Sequence, residues 1–184
     1  MEDWPTIRDK ENKEIPGWFD FFNLYTEMIA RFDNAVFLEI GTWKGRSTAF
    51  MGTRIKESGK NIKFYAIDIF GPFISEGKLQ DTSDIYQEFL ENIEPIKDFI
   101  IAIKGDSRII HNQFQNNSFD FIFIDGGHDY ESVIEDIRGW YPKLKPGGIF
   151  GGHDIDWPGV QKAVTEFFGN SFNIRGITWL VNYK

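Results

Sequence analysis

The chain contains no cysteine, it has no long apolar run and no basic leader, and acidic residues outnumber basic ones. The first absence excludes disulfide bonds, thiolate nucleophiles and cysteine-based zinc sites. Because no segment approaches the roughly 20 apolar residues of a membrane helix, and no signal-peptide pattern opens the chain, we expect a soluble cytoplasmic protein. The net charge of −8, from 20 basic and 28 acidic residues, argues against nucleic acid or a membrane surface as a partner.

The composition is typical of a single globular domain. Of the 184 residues, 41% are hydrophobic and 17% are aromatic, which suffices for one core but not comfortably for two domains. Residues 1–17 are polar and aperiodic, so we expect a loose N-terminal arm that Trp4 could dock. Residues 18–184 then form the domain, whose first element is an amphipathic helix over residues 18–32.

Short apolar runs alternate with segments of helical periodicity along the rest of the chain. Strands are predicted at residues 35–40, 63–68, 99–104, 119–125 and 147–152, and helices at residues 47–58, 85–92, 129–144 and 158–169. A hairpin that turns near Arg175 and Gly176 is expected to close the chain. This alternation predicts a doubly wound, Rossmann-like α/β fold with a mostly parallel sheet and helices on both faces.

An acidic residue lies at the end of every predicted parallel strand. A single carboxylate in such a position is commonly a turn residue or a helix cap. Five in succession are harder to explain in that way, and ligands of open α/β sheets bind at the carboxyl ends of the strands. The predicted site therefore contains Glu39, Asp68, Asp106, Asp125 and Asp154.

The glycine loop after the first strand indicates the kind of ligand. Gly41-x-x-x-Gly45 is not the G-x-G-x-x-G pattern that receives a pyrophosphate. A loop beside Glu39 suits an ammonium or a sulfonium better than an anion. Asp68 follows Gly45 by 23 positions, close to the roughly 20-residue interval of a ribose-binding acid. We therefore expect a ligand with an amino acid head near Glu39, a ribose on Asp68 and an adenine amine near Asp106.

Several stretches carry a resemblance to a known family. The sequence "FLEIGTWKGRST" resembles the first motif of the class I S-adenosylmethionine-dependent methyltransferases, "FYAIDIF" resembles their ribose-binding strand end, and "IKGDS" resembles their adenine-binding segment. The stretch "FIDGGHDYESVIEDIRGWYPKLKPGGIFGGHD" is similar to the small-molecule O-methyltransferase branch that includes macrolide-sugar and catechol-type enzymes. The resemblance covers about residues 35–168 and implies a seven-stranded sheet with an antiparallel last strand.

The resemblance also implies an activity and its residues. The expected reaction is methylation of a hydroxyl on a small molecule, such as a sugar or a natural product. Besides Glu39, Asp68 and Asp106, the implied contacts to S-adenosylmethionine are Gly41, Thr42, Trp43, Ser47, Ile69, Gly105, Ser107 and Asp125.

A histidine is placed where the resembling enzymes have a general base. His128 lies three positions after Asp125, and an imidazole with an ordinary pKa near 6.5 suits the removal of a hydroxyl proton at neutral pH. The alternative is a structural role, in which His128 packs in the turn and bonds to Asp129 or to a carbonyl.

A divalent metal is the second cofactor that the resemblance implies. By motif, its ligands are Asp125, His153 and Asp154. His153 departs from the family pattern, because the metal-using relatives carry a carboxylate there. Magnesium prefers an all-oxygen shell, whereas an imidazole with two carboxylates suits manganese, iron or zinc. The sequence therefore leaves both the presence and the identity of the metal (Mn, Mg or Fe) open.

Two other functions stay open at this point. A module that binds S-adenosylmethionine or a nucleotide without transferring a methyl group would suit a chain with little sequence for a substrate lid. A nicotinamide-dependent oxidoreductase would use a similar sheet, but the missing glycine of the dinucleotide pattern argues against it. The aromatic first helix or the terminal hairpin could also support a homo-oligomer.

Overall fold

The computed structural model describes residues 5–71, 73–75, 78–80 and 84–183. Trp4, the residue expected to dock the arm, lies outside this range. None of the helices in these ranges is long and apolar enough to cross a membrane.

Strands and helices alternate along the described chain. The strands are β1 (Asn34–Ile40), β2 (Asn61–Asp68), β3 (Phe73–Ser75), β4 (Lys78–Gln80), β5 (Ile100–Lys104), β6 (Phe119–Ile124), β7 (Leu144–Gly152), β8 (Asn173–Arg175) and β9 (Thr178–Asn182). The helices are α1 (Phe22–Arg31), α2 (Arg46–Ser58), α3 (Ile85–Ile93), α4 (Ser107–Ile110), α5 (Tyr130–Trp140) and α6 (Pro158–Phe168). Short 3₁₀ turns cover Glu94–Phe99, His111–Gln113 and Tyr141–Lys143.

Seven of these strands form the central sheet. Their order is β5-β2-β1-β6-β7-β9-β8; the first five pair in parallel, whereas β9 pairs antiparallel with both β7 and β8. The predicted mostly parallel, doubly wound sheet and its terminal hairpin are confirmed. Strand order reverses between β1 and β6, and this is the position at which open α/β sheets bind their ligands.

The two central strands are buried on both faces, as their continuous apolar sequences predict. Alternate residues contribute to two apolar clusters on opposite sides of the sheet: Phe37 and Phe121 belong to one, and Leu38 and Ile122 to the other. Helices cover both clusters, so the loops at the strand ends are held by a rigid core.

The structure corrects several sequence-based predictions: the helix predicted over residues 129–144 ends at Trp140, and β7 begins at Leu144 and not at Gly147. α1 begins at Phe22 and not at Trp18. Phe19 and Phe21, whose spacing contributed to the predicted helix, are buried in the non-helical segment that precedes it. The predicted loop after Asp68 contains the antiparallel pair β3–β4. α4 escaped prediction because it has four residues, too few to show a helical period.

The N-terminal arm is not loose from residue 5 onward. Ile15 is only 1% exposed, and its carbonyl accepts a hydrogen bond of 3.2 Å from Arg46 in the first turn of α2. Arg46 also forms an ion pair of 2.9 Å with Glu14. The arm therefore packs against the loop that follows β1.

Gly41 marks the closest approach between the loops after β1 and β6. Its φ is +86°, and a Cβ there would lie 2.1 Å from the carbonyl oxygen of Asp125. Gly59, the C-cap of α2, has a comparable φ of +64° but nothing within 4 Å of the added atom. An alanine at Gly59 therefore meets only the strain of the left-handed backbone, whereas an alanine at Gly41 meets that strain and a clash with Asp125.

We expect Gly41→Ala to lower the free energy of unfolding much more than Gly59→Ala does. A left-handed alanine alone costs about 1–2 kcal/mol, whereas a clash with backbone atoms adds the cost of moving two loops, for a total of at least ~3 kcal/mol. Urea denaturation of both variants measures the difference. Equal losses would contradict the close approach.

Candidate active site

The loops at the ends of five parallel strands lie side by side along one edge of the sheet. Backbone hydrogen bonds continue the ladder past the strands: Gly105 N donates to Asp68 O, Gly41 N to Ile67 O, Asp125 N to Ile40 O and His153 N to Ile124 O, at 2.7–3.0 Å. We call this edge, from Gly105 to His153, the C-terminal rim. The rim brings together the ends of the five strands that precede the predicted acidic positions, in the order in which the strands pair.

Glu39 lies beneath the rim and not on it. Its side chain has no exposed surface, and its two oxygens accept hydrogen bonds from Tyr25 Oη at 2.9 Å and Thr48 Oγ1 at 2.5 Å. Burial raises the pKa of Glu39 to about 7, although hydrogen bonds from Ser47, Thr48 and Tyr25 oppose the shift. Because the carboxylate has no surface open to a ligand, its role toward an ammonium stays a prediction.

Asp68 organises the glycine loop. Its Oδ2 accepts the backbone N–H groups of Thr42 and Trp43, both at 2.8 Å, and its Oδ1 accepts the N–H of Phe70 at 2.7 Å. Each carboxylate oxygen has two lone pairs. Asp68 thus fixes the loop at the place where the ribose contact is predicted.

The loop beside Asp68 has the features of an incomplete binding surface. Thr42 Oγ1 is buried and has no hydrogen-bond partner in the described part of the chain. Trp43 is 40% and Ile69 is 55% exposed. A hydroxyl without a partner on the same loop as an exposed aromatic ring fits a ligand that has a polar part and an aromatic part.

Asp106 and Ser107 follow β5 and are already engaged within the protein. Asp106 caps α4 and binds Arg108 through both oxygens, at 2.9 and 2.7 Å, and these bonds lower the pKa of Asp106. Ser107 Oγ donates a hydrogen bond of 2.6 Å to Asp136 on α5. The predicted adenine contacts of Gly105, Asp106 and Ser107 are placed beside Asp68 but stay predictions.

His128 lies on the rim and contacts Asp154. Its Nε2 is 2.9 Å from Asp154 Oδ2, and its ring packs on Trp157 with a centroid distance of 4.7 Å. The side chain of His128 is 39% exposed, so a substrate can reach it. A structural role predicted a bond from His128 to Asp129 or to a carbonyl. The Asp129 side chain instead caps α5 through Ser132, and the contacts described for the His128 ring are with Asp154 and Trp157.

His153 is buried and contacts three carboxylates. Its Nε2 is 2.8 Å from Asp20 Oδ1, and its Nδ1 is 3.3 Å from Asp154 Oδ2 and 3.6 Å from Asp125 Oδ1. Asp20 precedes α1, so the N-terminal segment reaches the end of β7. Sequence reasoning missed Asp20, because nothing in "WFDFF" distinguishes a site acid from a surface acid.

The carboxylates and imidazoles shift one another's pKa values. Burial raises the pKa of Asp125 to about 6, although the positive charge of His153 lowers it. Burial alone would lower the pKa of His153, but the carboxylates of Asp154, Asp125 and Asp20 raise it to about 9. The hydrogen bond to Asp154 raises the pKa of His128. For Asp154, the bonds from both histidines outweigh burial and hold its pKa well below the ordinary value.

Ligand atoms of Asp125, His128 and Asp154 lie within 4.8 Å of one another. This spacing and the mixed oxygen and nitrogen donors fit a divalent cation of the manganese, iron or zinc type. The set differs from the predicted one: His128 takes the place of His153, whose Nε2 faces Asp20. The metal roles of Asp125, His153 and Asp154 stay predictions.

The enclosed space at the site is small. A cavity of ≈ 10 Å³ lies among Asp125, His128, His153 and Asp154, which is about the room of one water molecule. A substrate must therefore approach from the open side, where Trp157 is 51% exposed.

Comparisons with known proteins agree with the observed fold. A family model described as "Methyltransferase domain" matches residues 38–155. The O-methyltransferase NovP superposes with a TM-score of 0.70 at 15% identity, covering 89% of this chain and 79% of its own. CalS11, a calicheamicin methyltransferase, gives 0.66 at 13% identity, with 88% and 77% covered. MycE, a methyltransferase from the mycinamycin pathway in complex with Mg, SAH and mycinamycin VI, gives 0.58 at 18% identity, with 91% and 50% covered. At these identities the structural similarity concerns the fold.

The buried carboxyl of Asp136 gives a test of the rim's electrostatics. Burial raises its pKa from 3.8 to about 7, although the hydrogen bond from Ser107 opposes this. Because the folded-state pKa is the higher one, the stability that Asp136 contributes is complete below about pH 4 and is lost as the pH rises through about 7.

We expect Asp136→Asn, which keeps the acceptor but cannot ionise, to become more stable relative to the unchanged protein as the pH rises from about 4 to about 8. The gain is at most a few kcal/mol, at ~1.4 kcal/mol per pKa unit. Urea denaturation across this range measures it, with the exposed Asp98→Asn as control. A pH-independent difference would contradict the assigned shift.

Proposed function

The chain belongs to the methyltransferase domain family, and from this membership we propose that it methylates a hydroxyl group of a small molecule, a sugar or a natural product. It is an S-adenosylmethionine-dependent methyltransferase. The observation that carries the finer proposal is the position of His128: its side chain is 39% exposed on the rim, and its Nε2 lies 2.9 Å from Asp154 Oδ2.

The side chains of the rim fit the parts of S-adenosylmethionine. When bound, this cofactor supplies an electrophilic methyl group on a cationic sulfur. Thr42 Oγ1 is the unpartnered buried hydroxyl at the loop, and Ile69 offers an exposed apolar face beside Asp68. We propose that Asp68 holds the ribose, with Ile69 and Trp43 against the apolar faces of the ligand.

His128 is the proposed general base. If Nε2 carries the proton that is donated to Asp154 Oδ2, at 2.9 Å, the lone pair of Nδ1 is available for the acceptor's hydroxyl proton. The carbon–oxygen bond forms as the carbon–sulfur bond breaks, and the hydroxyl proton moves to His128. Asp154 then stabilises the imidazolium, as the orienting acid does in other histidine bases.

We also propose that Asp125 and Asp154 hold a divalent cation beside the acceptor's oxygen. Both histidines contact Oδ2 of Asp154, and a carboxylate has a second oxygen for another ligand. When bound, such an ion would polarise the hydroxyl and lower its pKa. A nitrogen of His128 that binds the metal ion cannot also accept the hydroxyl proton. We therefore assign the ion to Asp125 and Asp154 alone.

We expect His128→Ala to lower methyl transfer by about 10²- to 10⁴-fold, while the affinity for S-adenosylhomocysteine stays unchanged. Calorimetry and turnover on a panel of sugars and phenols measure the two quantities. A near-normal rate for the variant would contradict the base assignment.

The cofactor itself is tested by thermal unfolding. S-adenosylhomocysteine at 100 times its dissociation constant stabilises the folded state by about 2.7 kcal/mol, which moves the transition by several degrees. NAD serves as the control. Binding of S-adenosylhomocysteine without turnover on any acceptor would favour the alternative of a binding module that does not transfer methyl groups.

The metal proposal predicts a loss of Mn²⁺ binding in Asp125→Asn. Electron paramagnetic resonance of free Mn²⁺ gives the affinity, and we expect at least a tenfold weakening, because removal of a carboxylate takes away one of two charged ligands. Asp156→Asn, an exposed change two residues from Asp154, is the matched control. Equal affinities in the two variants would contradict the proposed ligands.

A further inference from the structure

One contact joins the N-terminal segment to the catalytic end of the sheet. Asp20 Oδ1 lies 2.8 Å from His153 Nε2, although the two residues are 133 positions apart. Asp20 keeps 28% of its side-chain surface, whereas the side chain of His153 is 3% exposed. A partly buried hydrogen bond between a carboxylate and an imidazole is directional and fixes the orientation of the ring.

The ring of His153 is also fixed by packing. Phe21, the neighbour of Asp20, lies 5.0 Å from the His153 ring, and Phe21 in turn packs at 4.6 Å on Phe123 of β6. Because one nitrogen faces Asp20, the other must face the opposite way, where Asp154 Oδ2 lies at 3.3 Å. The orientation of His153 is therefore set from the N-terminal side.

Asp154 needs such support. Its φ is +57°, in the left-handed region that few residues other than glycine, asparagine and aspartate adopt. The same oxygen, Oδ2, contacts both His153 and His128. Through this oxygen, the buried His153 is connected to His128 on the rim.

We propose that Asp20 and His153 are positioning residues: Asp20 orients His153, His153 holds Asp154, and Asp154 orients His128 for proton removal. This inference rests on the proposed function of His128 as the base. In this arrangement the Nε2 of His153 is engaged by Asp20, and its Nδ1 faces Asp154.

The chain of contacts has a specific consequence for catalysis. Loss of Asp20 leaves the binding surfaces for cofactor and acceptor in place but lets the ring of His153 turn. Asp154 then loses one of its two histidine partners, and His128 is less well oriented. We therefore expect kcat to fall by roughly 10- to 100-fold, the range typical of residues that orient a functional ligand, with the KM of the acceptor and the affinity for S-adenosylhomocysteine unchanged.

The test compares Asp20→Ala, Asp20→Asn and Asp20→Glu. The first removes the acceptor, the second keeps the shape without the charge, and the third should recover part of the rate because it restores a carboxylate. Glu14→Gln is the matched control, since it disrupts the ion pair of the same arm with Arg46 without touching His153. If Asp20→Ala does not fold, the nearly isosteric Asp20→Asn decides the question.

Nitrogen NMR of the imidazole rings provides a readout that does not depend on turnover. The chain has three histidines, so each can be assigned by substitution, and His111 serves as an internal reference. We expect Asp20→Ala and Asp20→Asn to change the nitrogen shifts of both His153 and His128 and to leave His111 unchanged.

Unchanged His128 shifts and an unchanged kcat in the Asp20 variants would overturn the positioning role. Equal losses in Glu14→Gln would also overturn it, because the effect would then belong to arm docking. Failure of the unchanged protein to bind S-adenosylhomocysteine would instead contradict the proposed function, and the ring spectra would still decide whether Asp20 orients the histidines.

Discussion

The close approach of Gly41 to the carbonyl oxygen of Asp125 is the contact on which the arrangement of the site depends. It lies at the end of β1 and β6, where strand order reverses, and only a residue without a side chain allows the two loops to meet there. To one side lie the loops of β2 and β5, with Asp68; to the other lies the loop of β7, with Asp154. A methyl donor held on the first side and a hydroxyl held on the second would meet above this contact.

The chemistry of the rim follows from the concentration of acids in a partly buried place. Burial raises the pKa of Glu39 to about 7 and that of Asp125 to about 6, so part of their negative charge is withdrawn near neutral pH. His153 lies among the remaining carboxylates with its own pKa raised. The site therefore carries less negative charge than its number of carboxyl groups suggests.

The sequence was sufficient for the fold and for the positions of the loops, because apolar runs and helical periods are local signals. The strand ends at Asp68 and Asp125 were located for that reason. The partners of the site residues could not be read in the same way: Tyr25 on Glu39 and Asp20 on His153 arise from packing between distant segments. His153 was assigned as a ligand by its place beside Asp154, whereas its burial and its contact with Asp20 are visible only in three dimensions.

The N-terminal arm connects the two halves of the rim. On the cofactor side, Arg46 binds the carbonyl of Ile15, and a Cβ at Gly17 would lie 3.4 Å from the ring of Trp43. A few residues later, Asp20 binds His153 on the side of the base. The same short, packed segment therefore contacts both the glycine loop and the histidine that supports Asp154.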